Sequence, residues 1–171
     1  MVLLRKRFPQ NANLQTAAEL GVKRTIEKEI MNKEIEIWNI LHDGVLTAFP
    51  NKDKSLLTIF VHIPYLRKRI EPVGVCFVLK LSGVKSCRFF DFDGKEEDFN
   101  ESLNAMGIEI LSAGSIGNTA MPVEIQTSLG TIILEYENIG LFLESGNEVS
   151  LETIAKASTE YWQEWSKKTK A

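Results

Sequence analysis

Between Gly44 and Glu144 the sequence is a series of short apolar and β-branched segments separated by turn residues, and no other feature constrains the fold as strongly. Segments of this kind predict β-strands. The predicted strands are 45–49, 55–63, 73–81, 84–92, 108–111, 122–128, 131–136 and 139–144. Within this part of the chain, residues 96–106 predict a short helix. Strands joined by short connections pair in antiparallel fashion, because a parallel pair needs a long crossover.

The end of the sequence predicts one long amphipathic helix. Ser150 is a suitable N-cap, because its hydroxyl can accept a hydrogen bond from a backbone N–H of the first turn. Lys167 and Lys168 suit the negative end of the helix dipole. One stripe at helical spacing contains Leu151, Ile154, Ala155, Ser158, Tyr161, Trp162 and Trp165. We therefore predict an α+β fold: a curled antiparallel sheet or barrel-like sandwich with this C-terminal amphipathic helix packed on it.

The length of 171 residues allows one domain with a hydrophobic core. Residues 31–171 are predicted to form this single α+β domain. Residues 1–30 differ, because they carry three more basic than acidic side chains and only a weak helical pattern. They are either a mobile or helical N-terminal arm, or a stretch that precedes a native start at Met31.

Charge and hydropathy weigh against two classes of partner. The net charge of −3 disfavours general nucleic-acid binding, which requires a broad basic surface. No apolar run approaches the roughly 20 residues that span a bilayer, so we expect no membrane partner. These features predict a soluble, cytoplasmic protein.

The two cysteines flank a predicted hairpin turn at Ser82–Gly83. With that turn, Cys76 lies opposite Phe89 and Cys87 lies opposite Val78, so the cysteine side chains are diagonal neighbours roughly 7 Å apart. This separation is too large for a disulfide. We expect free thiols, as is typical of a reducing cytoplasm.

The first predicted hairpin has a preferred register. Pairing Thr47 with Thr58 gives favourable cross-strand neighbours on one face and leaves the other face entirely apolar. A shift by one residue would mix threonine with apolar side chains on both faces. In the preferred register Asp43 lies opposite His62, whereas His42 points to the other side because strand side chains alternate.

His42 and His62 are the only histidines, so any histidine chemistry near neutral pH must use one of them. The predicted Asp43–His62 pair is either a polar pair that closes the mouth of the hairpin or an oriented catalytic base. Tyr65 lies nearby as a third catalytic candidate, but the sequence supplies no convincing nucleophile. A metal site of both histidines and Asp43 would require the backbone at Gly44 to leave strand geometry. We expect no metal and no cofactor.

Two further groups are candidates for binding. Arg67, Lys68 and Arg69 are three consecutive basic residues in an acidic chain, and they form either a solvated turn or a contact for an anionic partner. Trp162 and Trp165 belong to the aromatic stripe of the last helix, which either packs on the sheet or forms a partner-binding face.

The motif Trp38-x-x-Leu41-His42-Asp43-Gly44, leading directly into a strand, resembles the opening of several small, uncharacterised bacterial β-rich proteins. Some of these are similar to immunity proteins of toxin systems. The resemblance covers about a tenth of the chain and implies a cytosolic binding protein without catalysis, with no family active site to transfer.

Two hypotheses for function follow. The first is a non-catalytic binding or regulatory module, immunity-like, that binds one protein partner. It is supported by the missing nucleophile and metal motifs and by the candidate basic and aromatic surfaces. The alternative is a small hydrolase or metal-dependent enzyme that uses His62 and Asp43 at the mouth of the first hairpin.

Overall fold

The computed structural model describes residues 33–50, 53, 55–98, 107–116 and 121–169 of the chain. The predicted N-terminal arm and most of the predicted short helix lie outside these described residues. The elements in chain order are α1 (33–40), β1 (Val45–Pro50), β2 (Leu56–His62), α2 (Pro64–Ile70), β3 (Cys76–Ser82), β4 (Ser86–Phe90), β5 (Glu96–Glu97), β6 (Ile108–Ser115), β7 (Val123–Thr127), β8 (Gly130–Glu135), β9 (Asn138–Leu143) and α3 (Leu151–Lys168).

The nine strands form one sheet in the order β5-β4-β8-β7-β6-β1-β2-β3-β9. Every neighbouring pair is antiparallel, as the short connections predict. The sheet curls on itself without closing, so β5 and β9 remain its two edges. The predicted α+β class, with a curled antiparallel sheet and a C-terminal helix, is confirmed.

The predicted hairpin at Ser82–Gly83 is wrong, because β3 and β4 do not pair with each other. Instead, the chain bends between them, and β3 pairs with β9 while β4 pairs with β8. The Glu137 N–H donates to the Ser82 carbonyl at 3.0 Å, and the Lys85 N–H donates to the Glu135 carbonyl at 2.8 Å. Gly83 has φ +64°, and a Cβ there would lie 2.6 Å from the Glu137 side chain. The glycine therefore marks a corner of the sheet and not a reversal of the chain.

This corner also changes the neighbours of the two cysteines. Cys76 lies opposite His62 of β2, and Cys87 lies opposite Leu134 of β8. Both thiols are free, as expected, although the predicted geometry behind that expectation is not formed. Burial raises the pKa of the Cys87 thiol to about 12, so it is protonated and unreactive at neutral pH.

The first hairpin forms, but its register differs from the predicted one by two residues. Thr47 pairs with Phe60, and Val45 pairs with His62. A shift of two keeps every side chain on its predicted face, so the apolar alternation cannot distinguish the two registers. Val45, and not Asp43, is therefore the residue opposite His62.

The segment that begins the predicted short helix is instead strand β5. Glu96 pairs with Phe90 and Glu97 pairs with Phe89 of β4. The Arg88 guanidinium donates to both carboxylate oxygens of Glu96, at 2.9 and 2.6 Å. These contacts come from a neighbouring strand, and helical periodicity within the segment carries no information about them.

One hydrophobic core fills the inside of the curled sheet. Trp38 of α1 is fully buried, and its indole N–H donates to the Tyr136 hydroxyl at 3.3 Å. Burial also raises the pKa of Glu34, which hydrogen-bonds the same tyrosine. Ile154 and Ala157 of α3 belong to this core, so the C-terminal helix seals it from one side. No helix in the described part of the chain has the length and apolar character to cross a membrane.

Candidate functional site

α1 ends in a tight turn that brings His42 and Asp43 to the surface. The His42 Nδ1–H donates to the Asn39 carbonyl at 2.8 Å, which fixes the ring. Asp43 has φ +64°, and its N–H donates to the Ile110 carbonyl of β6 at 2.9 Å. The next residue, at position 44, must be glycine, because a Cβ there would lie 2.4 Å from a methyl group of the buried Val61 side chain. The strand therefore begins after this turn.

Asp43 pairs with His42 and not with His62, which corrects the predicted pair. The His42 Nε2 lies 3.7 Å from Asp43 Oδ2. His62 is exposed on the outer face of the sheet, between Val45 and Cys76. The three candidate metal ligands do not converge, and no group of three or more His, Cys, Asp or Glu side chains within the described residues is placed to hold a metal ion.

Tyr65, on α2, joins the His42–Asp43 turn. The single proton of its hydroxyl is shared between two acceptors, the His42 carbonyl at 3.4 Å and the Asp43 carboxylate. Burial raises the pKa of Tyr65, and the nearby charge of Asp43 raises it further. Tyr65 therefore remains a neutral phenol that donates. Two of the three catalytic candidates meet here, while His62 lies elsewhere.

The aromatic stripe of α3 packs against this turn and against α2. The His42 and Trp162 rings stack with centroids 5.3 Å apart, and the Tyr65 and Tyr161 rings stack at 4.2 Å. Trp165 meets the edge of Trp162 at 5.8 Å. These five rings are referred to below as the aromatic surface. They come from three segments of the chain that are far apart in sequence.

A charged fork borders the aromatic surface. The Arg69 guanidinium donates to the two carboxylate oxygens of Glu164 at 3.1 and 2.5 Å, and it lies 5.4 Å from the centre of the Tyr161 ring. These hydrogen bonds lower the pKa of Glu164. Lys167 and Lys168 are exposed on the next turn of α3. The border of the aromatic surface is thus charged, and its carboxylate, that of Glu164, is hydrogen-bonded to Arg69.

Arg67 is not a surface cation, contrary to its predicted binding role. It is 1% exposed, and its guanidinium donates to the Cys76 carbonyl at 3.1 Å and to the Glu71 carbonyl at 3.0 Å. The Glu71 carboxylate accepts from it at 2.8 Å, and Glu144 lies 4.0 Å away. Successive residues of a helix point about 100° apart, so three consecutive bases cannot share one face. Arg67 is therefore a structural residue, while Lys68 is exposed.

Sequence reasoning missed three members of this site. The first is Tyr161, which shares the predicted stripe with Trp162, although only Trp162 is a predicted binding residue. The helical spacing of both residues from Ile154 indicates that they lie on one face. The other two are Glu164 and Asn39. No local sequence pattern indicates their roles, because their partners are distant in sequence. The Asn39 amide exchanges hydrogen bonds with the backbone of Ala113 in β6, at 3.0 and 2.7 Å, and so substitutes for a neighbouring strand.

The arrangement offers stacked rings, a half-exposed indole and paired charges, which are means of recognition. The hydroxyl group that meets the His42–Asp43 pair is that of Tyr65, which stays protonated and donates to this turn. Comparison with known proteins adds no assignment: no protein-family model, curated protein or solved structure matches this chain.

Proposed function

We propose that the chain is a cytoplasmic, non-catalytic binding module that holds one protein partner through the aromatic surface. The observation that carries this proposal is the position of Trp165, which remains 50% exposed at the end of a series of rings in mutual contact. Tryptophan is over-represented among the residues that dominate binding energy at protein interfaces, because its large ring buries much area at low entropic cost.

The rings of the aromatic surface are already in contact with one another in the free chain. Stacking joins α3 to the α1–β1 turn through Trp162 and to α2 through Tyr161. The Arg69–Glu164 fork joins α2 and α3 about one helical turn further along. A surface with fixed rings loses little conformational entropy on binding, so more of its contact energy contributes to affinity.

The motif at residues 38–44 supports the same class of function. Its apolar members, Trp38 and Leu41, belong to the core, whereas His42 and Asp43 reach the aromatic surface. The part of the motif that resembles immunity-like proteins thus ends at the proposed contact region. An immunity-like role, in which binding itself is the activity, is consistent with this position.

The alternative of a small hydrolase or metal-dependent enzyme has less support. It uses His62 and Asp43 together, and the observed register separates them. The histidine that Asp43 does meet, His42, stacks on Trp162 and donates to a backbone carbonyl. These contacts account for its position structurally, without a substrate.

The proposal is tested by affinity capture from native cells with tagged wild-type protein and two variants. Trp165→Ala removes the exposed ring, and Phe92→Ala removes a control ring that is 76% exposed elsewhere. We expect wild type and Phe92→Ala to recover the same stoichiometric partner. Trp165→Ala should recover it at least about tenfold less, as is typical of a dominant interface residue.

Two outcomes would contradict the proposal. One is the absence of any stoichiometric partner from wild-type protein. The other is a partner that all three proteins recover equally, because binding would then use another surface. Circular dichroism melting of each variant shows that a loss of capture is not a loss of folding. A His62→Ala variant should capture the partner as wild type does.

A further inference from the structure

One carboxyl group is buried beneath α1 without an opposite charge. Glu34 is 9% exposed, and it hydrogen-bonds the hydroxyl of Tyr136, which also accepts from the Trp38 indole N–H at 3.3 Å. The other buried charged residue of the described part of the chain, Arg67, meets two carboxylates, whereas Glu34 forms no ion pair with any residue that the structure describes. We infer that Glu34 makes the start of α1 a pH-sensitive latch, which is docked while the carboxyl group holds its proton and loosened when it is ionised.

The surroundings of Glu34 make its ionised form unfavourable. An ionised carboxylate accepts about four hydrogen bonds, but the Tyr136 hydroxyl has only one proton to donate. A buried charge with incomplete hydrogen bonding loses much of its solvation energy. The protonated carboxyl group carries no charge and still shares a hydrogen bond with the same hydroxyl. Burial accordingly raises the pKa of Glu34, and the hydrogen bond to Tyr136 offsets only part of this effect.

The titratable groups around Glu34 do not balance its negative charge. Lys33 and Glu36, which lie on the same helix, are both exposed. Tyr136 faces Glu34 from the segment after β8, and it stays neutral because burial raises its pKa. Glu109, the charged residue of β6, is itself an acid. Ionisation of Glu34 therefore acts on the contact between α1 and Tyr136, with no cation nearby in the described residues to absorb it.

The far end of α1 is held by groups that do not titrate. The Asn39 amide exchanges two hydrogen bonds with the Ala113 backbone, at 3.0 and 2.7 Å. These contacts are the same in acid and at neutral pH, so the loosening is confined to the part of α1 around Glu34 and Trp38. The turn at His42 follows Asn39, and the latch therefore acts separately from the proposed binding function.

The raised pKa of Glu34 fixes the direction of the pH effect. A carboxyl group with a raised pKa binds its proton more tightly in the folded chain than in the unfolded chain. Its stabilising contribution is complete below the ordinary value of 4.5 and is lost as pH rises through the folded pKa. The latch is therefore closed in acid and loosens toward neutral pH.

The test follows hydrogen exchange of the Trp38 indole N–H by NMR in the full-length protein. Glu34→Gln keeps the size of the side chain and cannot ionise, and Glu36→Gln is the matched change at an exposed position of α1. Trp162→Phe and Trp165→Phe identify the other two indole signals. Protection is expressed relative to a free tryptophan derivative at the same pH. From about pH 4 to about pH 7, protection in wild type and in Glu36→Gln should fall at least about threefold relative to Glu34→Gln.

The backbone amide of Ile132 shows whether the opening is local. Ile132 is buried in β8 between β4 and β7, so its exchange reports on the sheet. In wild type at neutral pH, the Trp38 indole should be at least about tenfold less protected than this amide, because α1 opens while the sheet stays folded. Equal protection of the two groups would overturn the inference, since α1 would then open only with the whole protein.

Two further results would also overturn the inference. One is the same pH dependence of Trp38 protection in wild type and in Glu34→Gln. The other is a Glu36→Gln variant that behaves like Glu34→Gln, because any acid on α1 would then produce the effect. Thermal melting shows that each variant folds. Glu34→Met, which is of similar length and also cannot ionise, replaces Glu34→Gln if that variant is unfolded.

Discussion

Arg67 and Arg69 lie two residues apart on α2 in opposite surroundings. Arg67 is 1% exposed, and it donates to both the backbone carbonyl and the carboxylate of Glu71. Arg69 forks on Glu164 at the surface and covers the Tyr161 ring. Both ion pairs have short hydrogen bonds, yet the arginine side chain is 1% exposed in the first pair and 25% exposed in the second. The same residue type is thus part of the framework on one side of the helix and part of a recognition surface on the other.

The difference shows that hydrogen-bond geometry alone does not indicate how much each ion pair contributes to the stability of the fold. Removing one member of a buried pair leaves a charge without solvent or partner, and this is strongly destabilising. Removing one member of an exposed pair lets water take its place, so little stability is lost. The two sides of α2 should therefore respond very differently to mutation, in the order given below.

The largest expected effect is on the Arg67 side. Arg67→Met should destabilise the protein by about 3 kcal/mol, because the Cys76 and Glu71 backbone carbonyls lose their donors and the partly exposed carboxylates of Glu71 and Glu144 lose their cation. Arg69→Met, the matched control, should lose much less stability, because water can replace the lost partner at the surface. Urea unfolding followed by circular dichroism measures both. Similar losses for the two variants would remove the distinction between the two sides.

A smaller effect is expected in the loop that closes over Arg67. Gly74 has φ +100°, and a Cβ there would lie 2.1 Å from Glu144 Oε2 and 2.8 Å from an Arg67 nitrogen. That carboxylate oxygen accepts from the backbone N–H of Val75 at 2.6 Å, so it cannot move freely.

Gly74→Ala should therefore cost about 1–3 kcal/mol more than the control Gly146→Ala. Gly146 also has a positive φ, of +89°, but a Cβ there would meet nothing within 4 Å. Urea unfolding again supplies the comparison. If the two variants lose the same stability, backbone strain explains the effect and the packing around Arg67 does not.

On the aromatic side, the two tryptophans should differ from each other. Trp162 is half-buried and stacks on His42, so Trp162→Ala should cost about 2 kcal/mol. Trp165 is half-exposed, so Trp165→Ala should cost about 1 kcal/mol or less while abolishing partner capture. Unfolding and capture measured on the same samples check this. A large loss of stability in Trp165→Ala would show that this ring is a core residue.

The smallest effect concerns the pH dependence of the Arg69–Glu164 fork. The hydrogen bonds from Arg69 lower the pKa of Glu164 below its usual 4.5. A carboxylate with a lowered pKa stabilises the fold above its unfolded pKa, and this stabilisation is lost as pH falls through the folded pKa.

Glu164→Gln should therefore melt slightly below wild type at neutral pH, and the two melting temperatures should converge as pH falls through the folded pKa of Glu164. Thermal melting across this range gives the result. A gap that persists or widens in acid would mean that the carboxylate charge is not what stabilises the pair.

Local patterns predicted much of the fold. Alternation placed Ile59 and Val61 inside, and helical spacing placed Ile154 of α3 in the core. Ser150 caps this helix as predicted, with its hydroxyl accepting from the Thr153 N–H at 3.2 Å. These outcomes depend on a residue and its near neighbours, for which periodicity is a sufficient description.

The candidate site was predicted only in part. Asp43 and Tyr65 do meet, but the assignment of Asp43 to His62 required the register that pairs Thr47 with Thr58, and the observed register is shifted by two residues. The left-handed backbone at Asp43 also keeps this residue out of β1, which starts only at Val45. The chain neighbour His42 is then the nearer histidine. The Arg69–Glu164 fork joins residues 95 positions apart, and no local pattern reports such a contact.

The sequence by itself determined which faces of the strands and of α3 are buried, because alternation and helical spacing are properties of a short stretch of chain. Only the tertiary structure decided which strands are neighbours, where Ser82–Gly83 turns the chain, and which of two arginines is buried. These depend on contacts between distant segments, each of which is compatible with several registers and orientations until the whole core is packed.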